Sequence, residues 1–212
     1  TIQLPRECEE VMLQIGASVN PLVPPGEEHI CVVAVEPIPS VVAGIFEHPR
    51  RIMIAAAISG GEARFMTLGL HHGDASSSSL APVNPDNSFP SDWEWEKPPE
   101  GYPPSIAVPV LPLSALLAAI PENITITRLM TDMQGFDFET VASVGRGIRR
   151  VQSILAETYV MPSETQPYLG VKNNLFEYWI PHMKKMGYHM DDNWEALDHG
   201  EANVLWTICF EC

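Results

Sequence analysis

Residues Thr125–Val141 read TITRLMTDMQGFDFETV. The run is β-rich up to Thr131, reaches a carboxylate at Asp132, passes through Met-Gln-Gly and enters a segment with helical spacing. An open α/β sheet binds ligands just outside the carboxyl ends of its strands. A strand that ends on an acid and a glycine, and then turns into a helix, therefore reads as the floor of a ligand site. Asp132 could also cap the helix that follows.

Outward from this stretch, further strands are expected at Val11–Ile15, Cys31–Glu36, Ile52–Ile58, Ala63–Leu68, Ile106–Leu111, Gln152–Glu157 and Asn203–Phe210. Gly60-Gly61 reads as a hairpin turn ahead of Ala63. Helical spacing covers Leu113–Ile120, Phe138–Val144 and Asn174–Met186, with Ser114 as a cap for the first of these. Pro181 should kink or split the last, and Gly187 should stop it. Near-continuous apolar strands alternating with helices predict an α/β sheet covered on both faces, with an antiparallel edge at the C-terminus. With 45% hydrophobic residues, the 212-residue chain is read as one domain, 1–212. It carries a long irregular insertion at 71–105 that holds SSSS, several prolines, Trp93 and Trp95. A loop of that length reads as an ordered surface excursion, a lid or a partner-docking arm.

The net charge of −15 comes with only twelve Lys and Arg, too few to build a basic face, so nucleic acid and anionic membranes are not expected partners. The mean hydropathy of +0.01 fits the absence of an apolar run long enough to span a bilayer. Cys31 reads as a small buried apolar group. Cys209 and Cys212 form a lone C-x-x-C, which cannot complete a four-ligand zinc site, so no metal is expected. No disulfide framework is legible among the four cysteines, which predicts a soluble protein in a reducing compartment. The start Thr-Ile-Gln-Leu-Pro suggests a processed chain, cytoplasmic or organellar after loss of a targeting segment.

Gly16 follows the first strand and Glu36 ends the second, twenty residues later. That is the spacing at which a nucleotide-binding fold sets the carboxylate that grips a ribose. Glycine lets backbone approach a ligand, and a carboxylate accepts two hydroxyl hydrogen bonds.

Several stretches, taken in order, resemble the FkbM-type methyltransferases, which use S-adenosylmethionine (SAM). MLQIGAS is similar to that family's first-strand motif, VVAVEPIPSV to its acidic second strand and IMIAAAIS to its third. GEARFMTLG, VPVLPLSALL, TRLMTDMQGFDFETVASVG and SILAETYV follow in the family's order. The resemblance implies a Rossmann-like class I methyltransferase fold with a mostly parallel central sheet. It implies that Gln14, Gly16, Ala17, Ser18, Glu36, Asp132 and Gln134 hold SAM, with Gly135 at the same mouth. It sets Asp132 beside the methyl group and Glu157 on the acceptor side. Transfer to a hydroxyl gains from a base, for which Asp132, Asp137, Glu157 and His71 or His72 are candidates. The chain departs from the family pattern in PLVPPGEEH, where Pro21, Pro24 and Pro25 fall at the start of the first crossover helix. A loop or one short turn is expected there, removing part of the wall and dipole behind SAM.

Two functions follow. One is SAM-dependent O-methylation of a small-molecule or sugar-like acceptor. The other is a catalytically inactive methyltransferase-like subunit of a larger, organellar complex, with 71–105 as a protein contact.

Overall fold

The computed structural model describes residues 1–71, 77–84, 103–197 and 200–209. The carboxyl ends of three neighbouring strands meet at its centre: β1 (Glu10–Ile15), β2 (Ile30–Glu36) and β7 (Thr125–Thr131). They belong to a seven-stranded sheet with β3 (Arg51–Ala55), β8 (Val151–Tyr159), β9 (Tyr188–Met190) and β10 (Glu201–Ile208), in the order β3-β2-β1-β7-β8-β10-β9. Neighbours from β3 through β8 are parallel, and β10 runs antiparallel to both β8 and β9. A small sheet packs beside the large one: β4 (Ala57–Ser59), β6 (Ser105–Pro112) and β5 (Arg64–Gly69) in the order β4-β6-β5.

Alternation decides what each face packs against. Val11, Leu13 and Ile15 of β1, with Cys31, Val33 and Val35 of β2, share a buried cluster with Leu113, Leu116 and Leu117 of α2 (Leu113–Ala119) and Val141 of α3 (Asp137–Ser143). Trp179 and Met183 extend that cluster from the C-terminal helical segment to Val204 and Trp206 of β10. The opposite residues, Val32 and Ala34, form a small separate cluster with Ala17, against which Met12, Leu22 and Met53 pack. Further along that face Met130, Leu155 and Leu205 stay partly exposed and join none of the buried clusters. Helical cover on both faces was expected, but among the described residues the helices cover one face thickly and the other little. The reason lies in 16–29, a loop without helix that lays Leu22 on the sheet where a crossover helix would sit.

Other expectations change in detail. The run Ile52–Ile58 is not one strand: it passes from the large sheet to the small one at Ala56. Gly60-Gly61 turns the chain but makes no hairpin, because β4 and β5 each pair with β6 and not with each other. Ser114 does not cap α2, whose N-cap is Pro112. The segment Asn174–Met186 is not broken at Pro181: a π-helical turn, Leu175–Trp179, runs directly into α4 (Ile180–Met186), with Pro181 in the first turn of α4. Gly187 ends α4 at φ +86°. One short helix, α1 (Pro39–Gly44), was not anticipated.

Cys31 is not a free thiol. It is bonded to Cys8 across a Cα separation of 5.8 Å, tying the segment before β1 to β2, and Cys209 is disulfide-bonded as well. That overturns the reading of an absent disulfide framework and removes the ground for expecting a reducing compartment. Among the described residues no helix is long and apolar enough to cross a membrane.

Candidate functional site

β1 and β7 are parallel neighbours whose ends pinch together. Asp132 N–H donates to the Ile15 carbonyl at 3.1 Å. Gly16 sits at φ +78°, and a Cβ there would lie 1.8 Å from the Asp132 carbonyl oxygen, so this position accepts glycine alone. The chain then turns through Ser18, itself left-handed at φ +47°, and brings its N–H to Glu36 Oε2 at 2.8 Å. The Ile38 N–H donates to the other oxygen, Oε1, at 2.9 Å. Glu36 is thereby fixed at the tip of β2 and buried. Burial raises its pKa, the two backbone N–H groups oppose that, and nearby Asp132 adds to the rise.

After β7 the chain makes a tight turn, with Gln134 at φ +51° and Gly135 at φ +99°. The turn is closed by Asp137, whose carboxylate accepts the Met133 N–H at 3.1 Å. Asp132 therefore does not cap α3; its carboxylate opens into the cleft and accepts Gln134 Nε2–H at 2.8 Å. Behind it lies Glu157, at the end of β8 and within hydrogen-bonding reach of Asp132. No N–H or hydroxyl reaches Glu157 Oε2. The Tyr159 hydroxyl, on the same side of β8, is buried without a partner.

These carboxyls crowd one another without a cation. The ion pairs among the described residues are those of His29 with Glu10 and Glu27, at the amino ends of β1 and β2, opposite the site. Burial, reinforced by Asp132, pushes Asp137 up to about 7. Burial and the charges of Asp132, Glu201 and Asp137 push Glu157 well above the usual carboxyl range. Deep placement raises Asp132 too, against hydrogen bonds from Gln134 and Glu157. The cluster therefore favours bound protons: Glu157 and Asp132 are both harder to ionise than carboxyls in water.

The cleft runs from Glu36 to Asp132 and holds about 680 Å³ of empty space, counting its open mouth. Its apolar wall is made by Ile38, Ala56, Ile58, Leu68, Leu80 and Phe136. Of the residues singled out in the sequence, Gly16, Ser18, Glu36, Asp132 and Gln134 line this cleft together. Gln14 and Ala17 do not. Gln14 Oε1 accepts the Leu22 N–H at 2.7 Å and so holds down the proline-rich loop, while Ala17 packs on Val32 and Ala34. His71 lies over Gly69 beyond the lining, with its N–H 3.4 Å from Ser78 Oγ. His72, Trp93 and Trp95 lie outside the described residues. Sequence reading missed Ser78, Leu80 and Tyr168, which come from segments without periodicity. Ala56 and Ile58 were visible only as part of a strand.

A parallel sheet with one reversed strand near its edge, and a cleft at the ends of β1, β2 and β7, defines a Rossmann-like methyltransferase fold. Residues 22–190 match the methyltransferase FkbM domain, and the chain belongs to that family. Two solved structures are similar in shape. One is Aeropyrum pernix fibrillarin with natively bound SAM, at 12% identity and TM-score 0.46, matched over 98% of this chain and 70% of that one. The other is precorrin-6y C5,15-methyltransferase from Geobacter metallireducens GS-15, at 13% identity and TM-score 0.41, over 96% and 82%. No protein of curated function matches the chain.

The family implies SAM as methyl donor, and the cleft's residues fit it. Each Glu36 oxygen has a lone pair beyond the one that accepts a backbone N–H. Asp132 offers an open carboxylate to a cation, and the apolar wall suits a purine. The backbone N–H groups of Gly16, Ala17 and Ser18 are already bonded to Val35 and Glu36, so this loop holds a ligand by shape and not by donation.

Proposed function

We propose that this protein is a SAM-dependent methyltransferase that acts on a hydroxyl of a small-molecule or sugar-like acceptor. The observation that supports it is the placing of Glu36 and Asp132 at the two ends of one cleft, with Gly16 between them. Glu36 would accept the ribose hydroxyls, and the wall from Ile38 to Leu80 would take the base. When bound, SAM supplies a methyl group made electrophilic by its sulfonium. Asp132 stabilises positive charge beside it and, with its raised basicity, accepts the proton of an acceptor hydroxyl. Burial and acidic neighbours disfavour a charge on Glu157, and only one of two adjacent carboxyls ionises readily, which leaves that role to Asp132.

Titration of the purified protein with SAM and S-adenosylhomocysteine in a calorimeter tests the binding. Micromolar affinity is expected, weakened at least about tenfold in Glu36→Gln, which loses one charged acceptor. Asp132→Asn should lower turnover by about a hundredfold with an acceptor in hand. A second reading is favoured by the missing first crossover helix: a methyltransferase-like subunit without activity. Absence of heat at millimolar SAM would transfer the case to that reading, and sizing the native complex from its source would then decide it.

A further inference from the structure

Gln134 is held in a left-handed conformation at φ +51°, which a non-glycine residue adopts only when its surroundings fix it. Three hydrogen bonds do so. Ser79 Oγ donates to the Gln134 carbonyl at 2.8 Å. The Tyr168 hydroxyl donates to Gln134 Oε1 at 2.9 Å, and Gln134 Nε2–H donates to Asp132 Oδ1 at 2.8 Å. The two ends of a carboxamide have nearly the same shape, so neighbours decide which end faces Asp132. A carboxylate only accepts, so Asp132 calls for the N–H end, and the Tyr168 hydroxyl on the other side holds Oε1 in place with the proton it shares with the Ser77 carbonyl.

Tyr168 is itself immobile. Its ring is buried and packs over Gly135, where a Cβ would lie 3.4 Å from Tyr168 Cδ2. Its hydroxyl also lies 2.7 Å from the Ser77 carbonyl, so one proton serves two oxygens. The backbone around it is stitched to the chain segment 77–84: Asn84 N–H donates to the Pro167 carbonyl and Leu169 N–H to that of Pro82. Ser78 and Leu80 of that segment line the cleft.

We propose that Tyr168 is a positioning residue: its hydroxyl orients the Gln134 carboxamide so that the amide N–H is delivered to the Asp132 carboxylate, and it couples that carboxylate to the cleft wall at 77–84. The consequence for the proposed reaction, on which this inference rests, is a base held in one orientation. The groups around Asp132 make the single N–H matter. Glu36 faces it from β2, Asp137 from α3 and Glu157 from β8, with Glu201 of β10 and the hydroxyls of Tyr159 and Tyr168 behind. Among the described residues no ion pair reaches Asp132, so its charged form is favoured by the amide hydrogen bond together with that from Glu157.

The test is a carboxyl ¹³C NMR titration of the whole chain, without donor or acceptor. In Tyr168→Phe, which keeps the ring, the Asp132 midpoint should rise by about half a pH unit or more. Gln134→Gly, which suits the left-handed backbone, should raise it at least as far. The double variant should match Gln134→Gly alone, since Tyr168 acts through that side chain. A midpoint unmoved in Tyr168→Phe overturns the proposal, as does a Tyr168→Phe shift that persists undiminished in the Gln134→Gly background. Should Tyr168→Phe fail to fold, an unmoved midpoint in Gln134→Gly overturns it equally. Because no SAM is present, failure here leaves the calorimetric test of SAM binding standing, and the reverse also holds.

Discussion

At the scale of single residues, two positions carry sharp expectations. Gly16→Ala adds a methyl group onto the Asp132 carbonyl and strains a left-handed residue. We expect a loss of more than about 2 kcal/mol, read from urea unfolding, and a variant of wild-type stability would mean that the two strand ends do not pinch as described. Asp137 concerns pH. Its carboxyl ordinarily titrates at 3.8 and is raised to about 7 by burial and by Asp132. Between those values the native chain keeps a proton that the unfolded chain has lost. Stability therefore falls as pH rises through that window and levels off above it, and Glu157 acts with the same sign. The urea midpoint should be higher at about pH 5 than at about pH 8. Asp137→Asn should narrow that gap, gaining on the order of 1–3 kcal/mol at the higher pH. A gap of unchanged size in the variant would assign the effect to other groups.

At the scale of elements, Asn174 does the work of a cap. Its Oδ1 accepts the N–H groups of Phe176 and Glu177, both at 2.9 Å, and its Nδ2 donates to the Met161 carbonyl at 2.6 Å. Asn174→Ala should cost about 1–2 kcal/mol in denaturant unfolding, with cleft binding unchanged. Elements with a strong local cause were legible in the sequence: β7 from its β-rich run, the change of helical pattern beside Pro181, the stop at Gly187 and the helix-free crossover from Pro21, Pro24 and Pro25. Elements decided by distant partners were not. Nothing local tells the run Ile52–Ile58 to leave one sheet for another, since the strand β6 that claims Ala57–Ser59 lies some fifty residues on. The same limit applies to the site. Gly16, Glu36 and Asp132 could be read because each ends a recognisable strand. Tyr168 and the 77–84 wall could not, because their places are set by contacts to each other. Gln14, two residues before Gly16, holds the Leu22 N–H and lies outside the cleft lining, a placement set by the loop that follows and not legible from its own position.

At the scale of the whole molecule, the bond between Cys8 and Cys31 closes a separation of 23 residues and secures the sheet where no crossover helix does. Reduction should lower stability by about 2–4 kcal/mol, compared in urea with and without dithiothreitol. Equal midpoints under both conditions would show the two thiols unjoined in solution. The sheet order also bears on how the chain acquires its cleft. β1 lies between β2, which follows it closely, and β7, which begins at Thr125. During synthesis the Cys8–Cys31 loop and the β1–β2 pair can form early, while β1 keeps one side unpaired until more than a hundred further residues have emerged. Such distant pairing is entropically slow. The pinch of Gly16 against Asp132 is thus among the late events of folding, and nascent chains halted before Asp132 have half a cleft and an open strand edge.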